Sequence, residues 1–236
     1  MRRILLMVLC NILIVPYFWI KLCYYAKHTN EIPEDKKYDL LKKIVYRAKT
    51  GGRVIIEGHG MENIPKEDGF VFFPNHQGMF DVLAIIDTND KFFSVVSKIE
   101  VQNVQFLKQV FAVMGAQFMD RSDVRQSMKV ITEVTKQVKT GRNYLIFPEG
   151  TRSKNGNQVG EFKGGSFKCA MSAKAPIVPV AIINSFVPFD SHTTEPVTVQ
   201  VHYLKPIPYE EYKDMKSTEV AEMVKAQIVE TIEANC

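Results

Sequence analysis

Four cysteines, Cys10, Cys23, Cys169 and Cys236, are scattered through the 236 residues with no CxxC or metal-ligand spacing. That excludes a cysteine metal site, and it points to reduced, non-catalytic thiols in a domain facing a reducing compartment. There is no internal repeat, no low-complexity segment and no His/Asp/Glu ligand cluster, so neither a metal nor a bound cofactor is expected. The glycine pair in residues 162–167, FKGGSF, lacks the Walker spacing and reads as a tight turn into a helix. Only one long apolar run occurs, residues 4–20, broken by Asn11 and Pro16 and flanked by Arg2, Arg3 and Lys21. No small-residue cleavage site follows it, which argues against a signal peptide. The run is at the short end for spanning a bilayer core of about 30 Å, unless residues 22–26 extend it.

With 46% hydrophobic residues the chain can bury one substantial core. Its net charge of +4 is unevenly placed. Residues 1–50 carry ten Lys/Arg against four Asp/Glu, and residues 121–174 carry eleven against four, leaving the remainder net acidic. Two basic blocks suit anionic lipid at one and a phosphate at the other, and nothing points to nucleic acid. Tyr17, Trp19, Tyr24 and Tyr25 cluster at the end of the apolar run, as residues at a headgroup boundary do. Residues 34–49 then place Leu41, Ile44, Val45 and Ala48 on one helical face, with most of the lysines elsewhere. The alternatives are a docked surface helix and an interfacial helix on anionic headgroups; directly after the apolar segment, the second is favoured. Residues 1–50 (apolar 4–26, basic amphipathic 34–49) are thus read as a membrane-anchoring helical segment, with Gly51 and Gly52 opening a single domain over residues 51–236.

From Arg53 onward short apolar strands alternate with helical patterns. Strands are expected at residues 54–57, 69–73, 92–96, 144–147, 177–183 and 197–202, and helices at 79–86, 101–113, 123–139, 166–173 and 218–233. In the third helix Val124, Met128, Ile131, Val134 and Val138 form a stripe that Asp123 caps and Gly141 ends. The class is α/β, a central mixed sheet flanked by helices. Pro179 inside an apolar strand predicts a sheet edge or a bulge. The loop 153–160, SKNGNQVG, reads as a mobile flap.

Residues 73–81, FPNHQGMFD, place His76 in the turn between a strand and a helix and Asp81 about one turn into that helix. A carboxylate there can accept one ring N–H of His76, leaving the other nitrogen to take a proton from a hydroxyl. The plain alternative is a helix-capping histidine with an aspartate in the first turn. A second stretch of like design follows a later apolar run: residues 147–153, FPEGTRS. Gly150 allows a ligand close to the backbone, Arg152 offers a planar fork for phosphate, and Arg121 and Lys163 are candidates to complete the pocket. Glu149 is read as holding Arg152 or a substrate hydroxyl. Backbone N–H groups near Gly150 or Pro179 are candidates for an oxyanion hole.

Together with residues 115–121, GAQFMDR, and residues 177–182, IVPVAI, these stretches resemble in order and spacing the four motifs of the glycerolipid acyltransferase family, most closely bacterial 1-acylglycerol-3-phosphate acyltransferases. The likeness covers residues 53–203; one departure is Gly78, where many members carry Ser. The resemblance implies a fatty acyl transfer from acyl-CoA or acyl carrier protein to the sn-2 hydroxyl of lysophosphatidate, giving phosphatidate. It implies His76 as base, Asp81 as its orienting partner, a phosphate site at Glu149, Gly150, Thr151 and Arg152 with Arg121 and Lys163, and an acyl chain beside Pro179 if that residue is not simply structural. It also implies an N-terminal helix pair seated on one leaflet, with the catalytic domain on the cytoplasmic face of the cell membrane. Alternatives are another lysolipid acceptor, thioester hydrolysis by activated water, and non-catalytic lipid binding.

Overall fold

The computed structural model describes residues 2–120 and 122–236. Three helices lead: α1 (Arg2–Leu9), α2 (Val15–Lys27) and α3 (Glu34–Gly51). There follow β1 (Val54–His59), β2 (Val71–Pro74), α4 (Asp81–Thr88), β3 (Ser94–Lys98), α5 (Gln105–Val113), β4 (Gln117–Met119), α6 (Val124–Lys139) and β5 (Tyr144–Leu145). The chain closes with α7 (Lys168–Ala173), β6 (Ile177–Ile183), α8 (Val187–Asp190), β7 (Val197–Tyr203), α9 (Tyr209–Tyr212) and α10 (Ser217–Asn235).

The seven strands form one mixed sheet in the order β1-β7-β6-β2-β5-β3-β4. The five from β6 to β4 run parallel, while β7 pairs antiparallel with β6 and parallel with β1. The central strands are apolar throughout because both faces are covered. Phe72, Leu145, Val178 and Val180 point into one core with α3, α4 and α5, and Phe73, Tyr144, Ile177 and Ala181 into a second with α6, α7 and α10. The chain leaves β2 through α4 toward β3, and leaves its neighbour β5 through α7 toward β6 on the other side. Two adjacent parallel strands whose connections diverge leave a crevice at their carboxyl ends, where open α/β sheets bind ligands.

Pro179 lies in β6, flanked by β2 and β7, and not at an edge. A central proline is tolerated because its carbonyl accepts from Leu204 N at 3.0 Å. Its donor-less side therefore faces the end of β7, which stops at Tyr203. The three residues of β4 lie outside the expected strands, and β3 starts two residues later than the apolar pattern suggests. Helix α6 is capped as expected, with Asp123 Oδ1 accepting from Gln126 N at 3.0 Å. Its stripe does not stay buried, however: Val134 and Val138 enter the core and Ile131 packs against it, whereas Val124 and Met128 are 70% and 66% exposed.

The apolar run is a helical hairpin broken after Leu9, where Asn11 donates to Met7 O and to Arg47 O of α3. No helix among the described residues is long and apolar enough to cross a membrane. The hairpin is tied to the domain by buried Arg3, which donates to Gly52 O and Glu195 O at 2.7 Å each. The amphipathic face of α3 is not free for lipid, because Leu40, Leu41 and Val45 are buried in the first core with α4 and the sheet. Its lysines are largely engaged too: Lys37 donates to Thr29 O, Lys42 pairs with Asp90, Lys43 with Asp39 and Lys49 with Asp87. What stays outward is the hairpin's own apolar set, Leu5, Leu9, Ile12, Leu13 and Ile20, with Leu13 95% exposed.

Candidate active site

The crevice at the ends of β2 and β5 is built by the loops following those strands. After Pro74 the chain cannot continue a regular ladder, and the side chain of Asn75 replaces it, donating to Ile182 O at 2.9 Å and accepting from Ile182 N at 2.7 Å. This fixes the exit direction of the chain at His76. Asp81 is the first residue of α4, not a turn into it, and is fully buried. Its Oδ2 accepts from His76 Nδ1 at 2.7 Å and from Gln77 N at 2.7 Å, and Gly78 N donates to both its oxygens. A carboxylate in that position is also favoured by the positive end of the helix. The bond from Nδ1–H sets the tautomer, so Nε2 is the unprotonated nitrogen, and it has no protein partner among the described residues.

The second loop holds the histidine from behind. His76 N donates to Glu149 Oε1 and Ser153 N donates to His76 O, both at 2.7 Å, while the imidazole stacks on Phe147 with ring centroids 3.9 Å apart. Glu149 therefore braces the backbone of the first loop and does not hold Arg152. Its other oxygen accepts from Gly160 N at 3.0 Å, and a Cβ at Gly160 would come within 2.6 Å of it. Burial raises the carboxyl pKa of Glu149 above the ordinary value, opposed by the two N–H donors. Gly150 turns the chain at φ +75°, which puts Thr151 and Arg152 outward.

A cavity of about 660 Å³ opens over these loops, lined by His76, Thr151 and Arg152 together with Lys98 at the end of β3. Arg152 is half-exposed and lies 3.8 Å from Asp190. Gly78 also lines the cavity; a side chain there would press on Phe186 Cα and Ser185 O at 3.3 Å, so the 185–190 segment closes over it. The 153–160 loop is tied down: Asn157 Oδ1 accepts from Gln77 Nε2 at 2.8 Å and from Asn184 N at 2.9 Å.

Of the residues read from sequence, His76, Asp81, Gly150, Thr151 and Arg152 come together, and Glu149 is present as a brace. Lys163 is exposed and lines a neighbouring cavity that shares Phe147 and Gly150 with the first. Pro179 is buried in mid-sheet and lines neither cavity. Gly150 N–H is spent on Phe147 O at 3.2 Å, which removes it from the oxyanion candidates. Arg121 lies outside the described residues. Lys98 was missed, as were Asn75 and Gln77; the available signal for Lys98 was its place at the carboxyl end of a strand in a parallel sheet.

The family model for acyltransferases matches residues 55–183, the span from β1 to the end of β6. The chain belongs to the acyltransferase family. Among its relatives is a probable 1-acyl-sn-glycerol-3-phosphate acyltransferase from Mycoplasma pneumoniae, 29% identical over 98% of this chain and 94% of the relative. The 1-acyl-sn-glycerol-3-phosphate acyltransferase of Saccharomyces cerevisiae is 32% identical over 73% of this chain and 58% of that protein. In fold, the chain matches the crystal structure of the 1-acyl-sn-glycerophosphate acyltransferase PlsC from Thermotoga maritima, with TM-score 0.74 and 23% identity over 97% of this chain and 96% of that one. The matched family region contains the two loops at the crevice and all the strands that carry them.

Proposed function

We propose that the protein moves a fatty acyl group from a thioester, acyl-CoA or acyl-acyl carrier protein, to the sn-2 hydroxyl of 1-acyl-glycerol-3-phosphate. The observation that carries this reading is an Asp81-oriented His76 whose Nε2 has no protein partner among the described residues, in one cavity with Arg152 and Lys98. His76 Nε2 takes the hydroxyl proton as the oxygen attacks the thioester carbonyl. The tetrahedral intermediate collapses by breaking the C–S bond, and the thiolate leaves with the proton from the imidazolium. Asp81 stabilises that cation without itself being protonated. Arg152 and Lys98 hold the acceptor phosphate, displacing Asp190 from Arg152.

The acceptor and the product are lipids, so the outward apolar residues of the α1–α2 hairpin seat the protein on a membrane, with the domain on the cytoplasmic face. Leu9→Asp with Leu13→Asp should abolish flotation with vesicles while leaving the fold intact, since both side chains are already in solvent. The function is tested by assaying the purified full chain with a panel of lysolipids and both thioester carriers. Transfer to lysophosphatidate should be fastest. Fatty acid release that is unchanged by any acceptor would establish a hydrolase instead.

A further inference from the structure

Three loops leave the carboxyl ends of the adjacent parallel strands β6, β2 and β5, and the middle one carries His76. The next residue, Gln77, is 1% exposed, and neither the proton transfer nor the phosphate contact uses its side chain. We propose that Gln77 is a positioning residue for the acceptor: its amide locks both outer loops to the middle one and so sets the span between His76 and the cations that face it. This inference rests on the acyl-transfer reading.

The loops are joined through side-chain amides whose orientation the backbone dictates. Ser185 N–H needs an acceptor, and Gln77 Oε1 takes it at 2.7 Å. Asn184, where the chain leaves β6 at φ +62°, presents another N–H, and Asn157 Oδ1 takes that at 2.9 Å. Gln77 Nε2 is thereby turned toward Asn157 Oδ1 and donates to it at 2.8 Å. Neither amide can flip without setting donor against donor. The main chain of Gln77 is committed as well, its N–H donating to Asp81 Oδ2 at 2.7 Å, so one residue touches the partner of His76 and both outer loops.

What hangs from these bonds is one wall of the cavity: Arg152, Lys154 and Gly156 from the loop after β5, and Phe186 and Asp190 from the segment after β6. Lys154 stands between two ties, Ser153 N–H on His76 O and Asn157 on Gln77. The two segments also touch, since a Cβ at Gly156 would lie 3.5 Å from the Phe186 ring, and Arg152 is 3.8 Å from Asp190. In lysophosphatidate the sn-2 hydroxyl and the phosphate are separated by one methylene carbon and one ester oxygen. A phosphate held by this wall therefore presents its hydroxyl to Nε2 at one setting of the wall. If the wall drifts, the phosphate is still captured but the hydroxyl no longer meets the base.

Initial rates should be measured on the full-length wild type, Gln77→Met, Asn157→Leu, the double variant of these two, and Asn157→Asp. Each is assayed with lysophosphatidate and with the monoacylglycerol of the same chain, with circular dichroism and Tm as fold controls. Gln77→Met and Asn157→Leu should each lower kcat for lysophosphatidate about tenfold or more with its KM little changed, the scale of a small misplacement at the reacting atoms. The double variant should fall no further than the worse single, because both delete one bond. Asn157→Asp keeps the oxygen that accepts from Gln77 and Asn184, so it should stay close to wild type. Monoacylglycerol, which has no phosphate for the wall to hold, should be turned over as before in all four. The proposal is overturned if both acceptors lose rate alike, if the singles multiply in the double, if KM for lysophosphatidate rises while kcat stands, or if Asn157→Asp is as poor as Asn157→Leu. Should Gln77→Met lose the fold, that last pair, at a half-buried position of equal side-chain size, decides alone. A wild type that acylates lysophosphatidate no faster than monoacylglycerol would defeat the functional reading itself, before any variant is made.

Discussion

The loops after β2 and β5 look alike in sequence, each an apolar strand, a proline and a short polar run, yet they are built for opposite ends. In the first, the functional side chain is held from every side: Asp81 fixes the ring of His76, and the second loop binds its backbone N–H and C=O. In the second, buried Glu149 braces the neighbour, and beyond Gly150 the chain turns outward to leave Arg152 half-exposed beside Asp190. Proton transfer requires a fixed imidazole, whereas capturing a charged lipid headgroup requires a cation that can reach outward. On the proposed function the pair works as one device, with chemistry on one loop and recognition on the other.

Removing the fixed element should have the largest effect. His76→Ala should lower kcat by about 10²- to 10⁴-fold with KM for lysophosphatidate little changed, and Asp81→Asn should be comparably severe because it cannot hold the tautomer or the cation. Steady-state kinetics with circular dichroism as a fold control checks this. Arg152→Ala should act on the other side of the comparison, raising acceptor KM roughly tenfold to a hundredfold, the scale of a lost charge-assisted hydrogen bond, with donor KM unchanged. A rise in donor KM alone would break the division of labour.

The smallest effect concerns the brace between the loops. Because burial raises the folded pKa of Glu149 above its unfolded value, the proton-linked part of its contribution is fully present below the unfolded pKa and lost as pH rises through the folded one. Glu149→Gln removes that slope. The Tm of wild type should therefore gain on that of the variant as pH is lowered from 7 through the carboxylate range, on top of a constant cost for the lost N–H contact. A gap that widens with rising pH would show that the carboxyl is not held as described.

Much of this was legible from spacing alone, because local contacts leave local patterns. His76 and Asp81 are five residues apart, and Asp123 capping α6 leaves its signature within three. What sequence did not reveal depends on partners set by topology. Glu149 meets His76 across 73 residues, and the short spacing to Arg152 suggested the wrong partner. Pro179 looked like an edge because a lone strand cannot say where its neighbours stop; only the end of β7 explains its central place. The amphipathic pattern of α3 showed that one face is buried but not against what, and the answer is the sheet domain, not lipid. Conversely, Val124 and Met128 continue a stripe that the core does not use.

The central claim, that His76 carries the chemistry and Arg152 the choice of acceptor, is tested most directly by one ratio. It is kcat/KM for lysophosphatidate over that for the unphosphorylated monoacylglycerol of the same chain, measured in wild type, His76→Ala and Arg152→Ala. Wild type should strongly prefer the phosphorylated acceptor, Arg152→Ala should bring the ratio toward one, and His76→Ala should depress both terms and leave the ratio standing. A ratio that survives in Arg152→Ala, or collapses in His76→Ala, would contradict it.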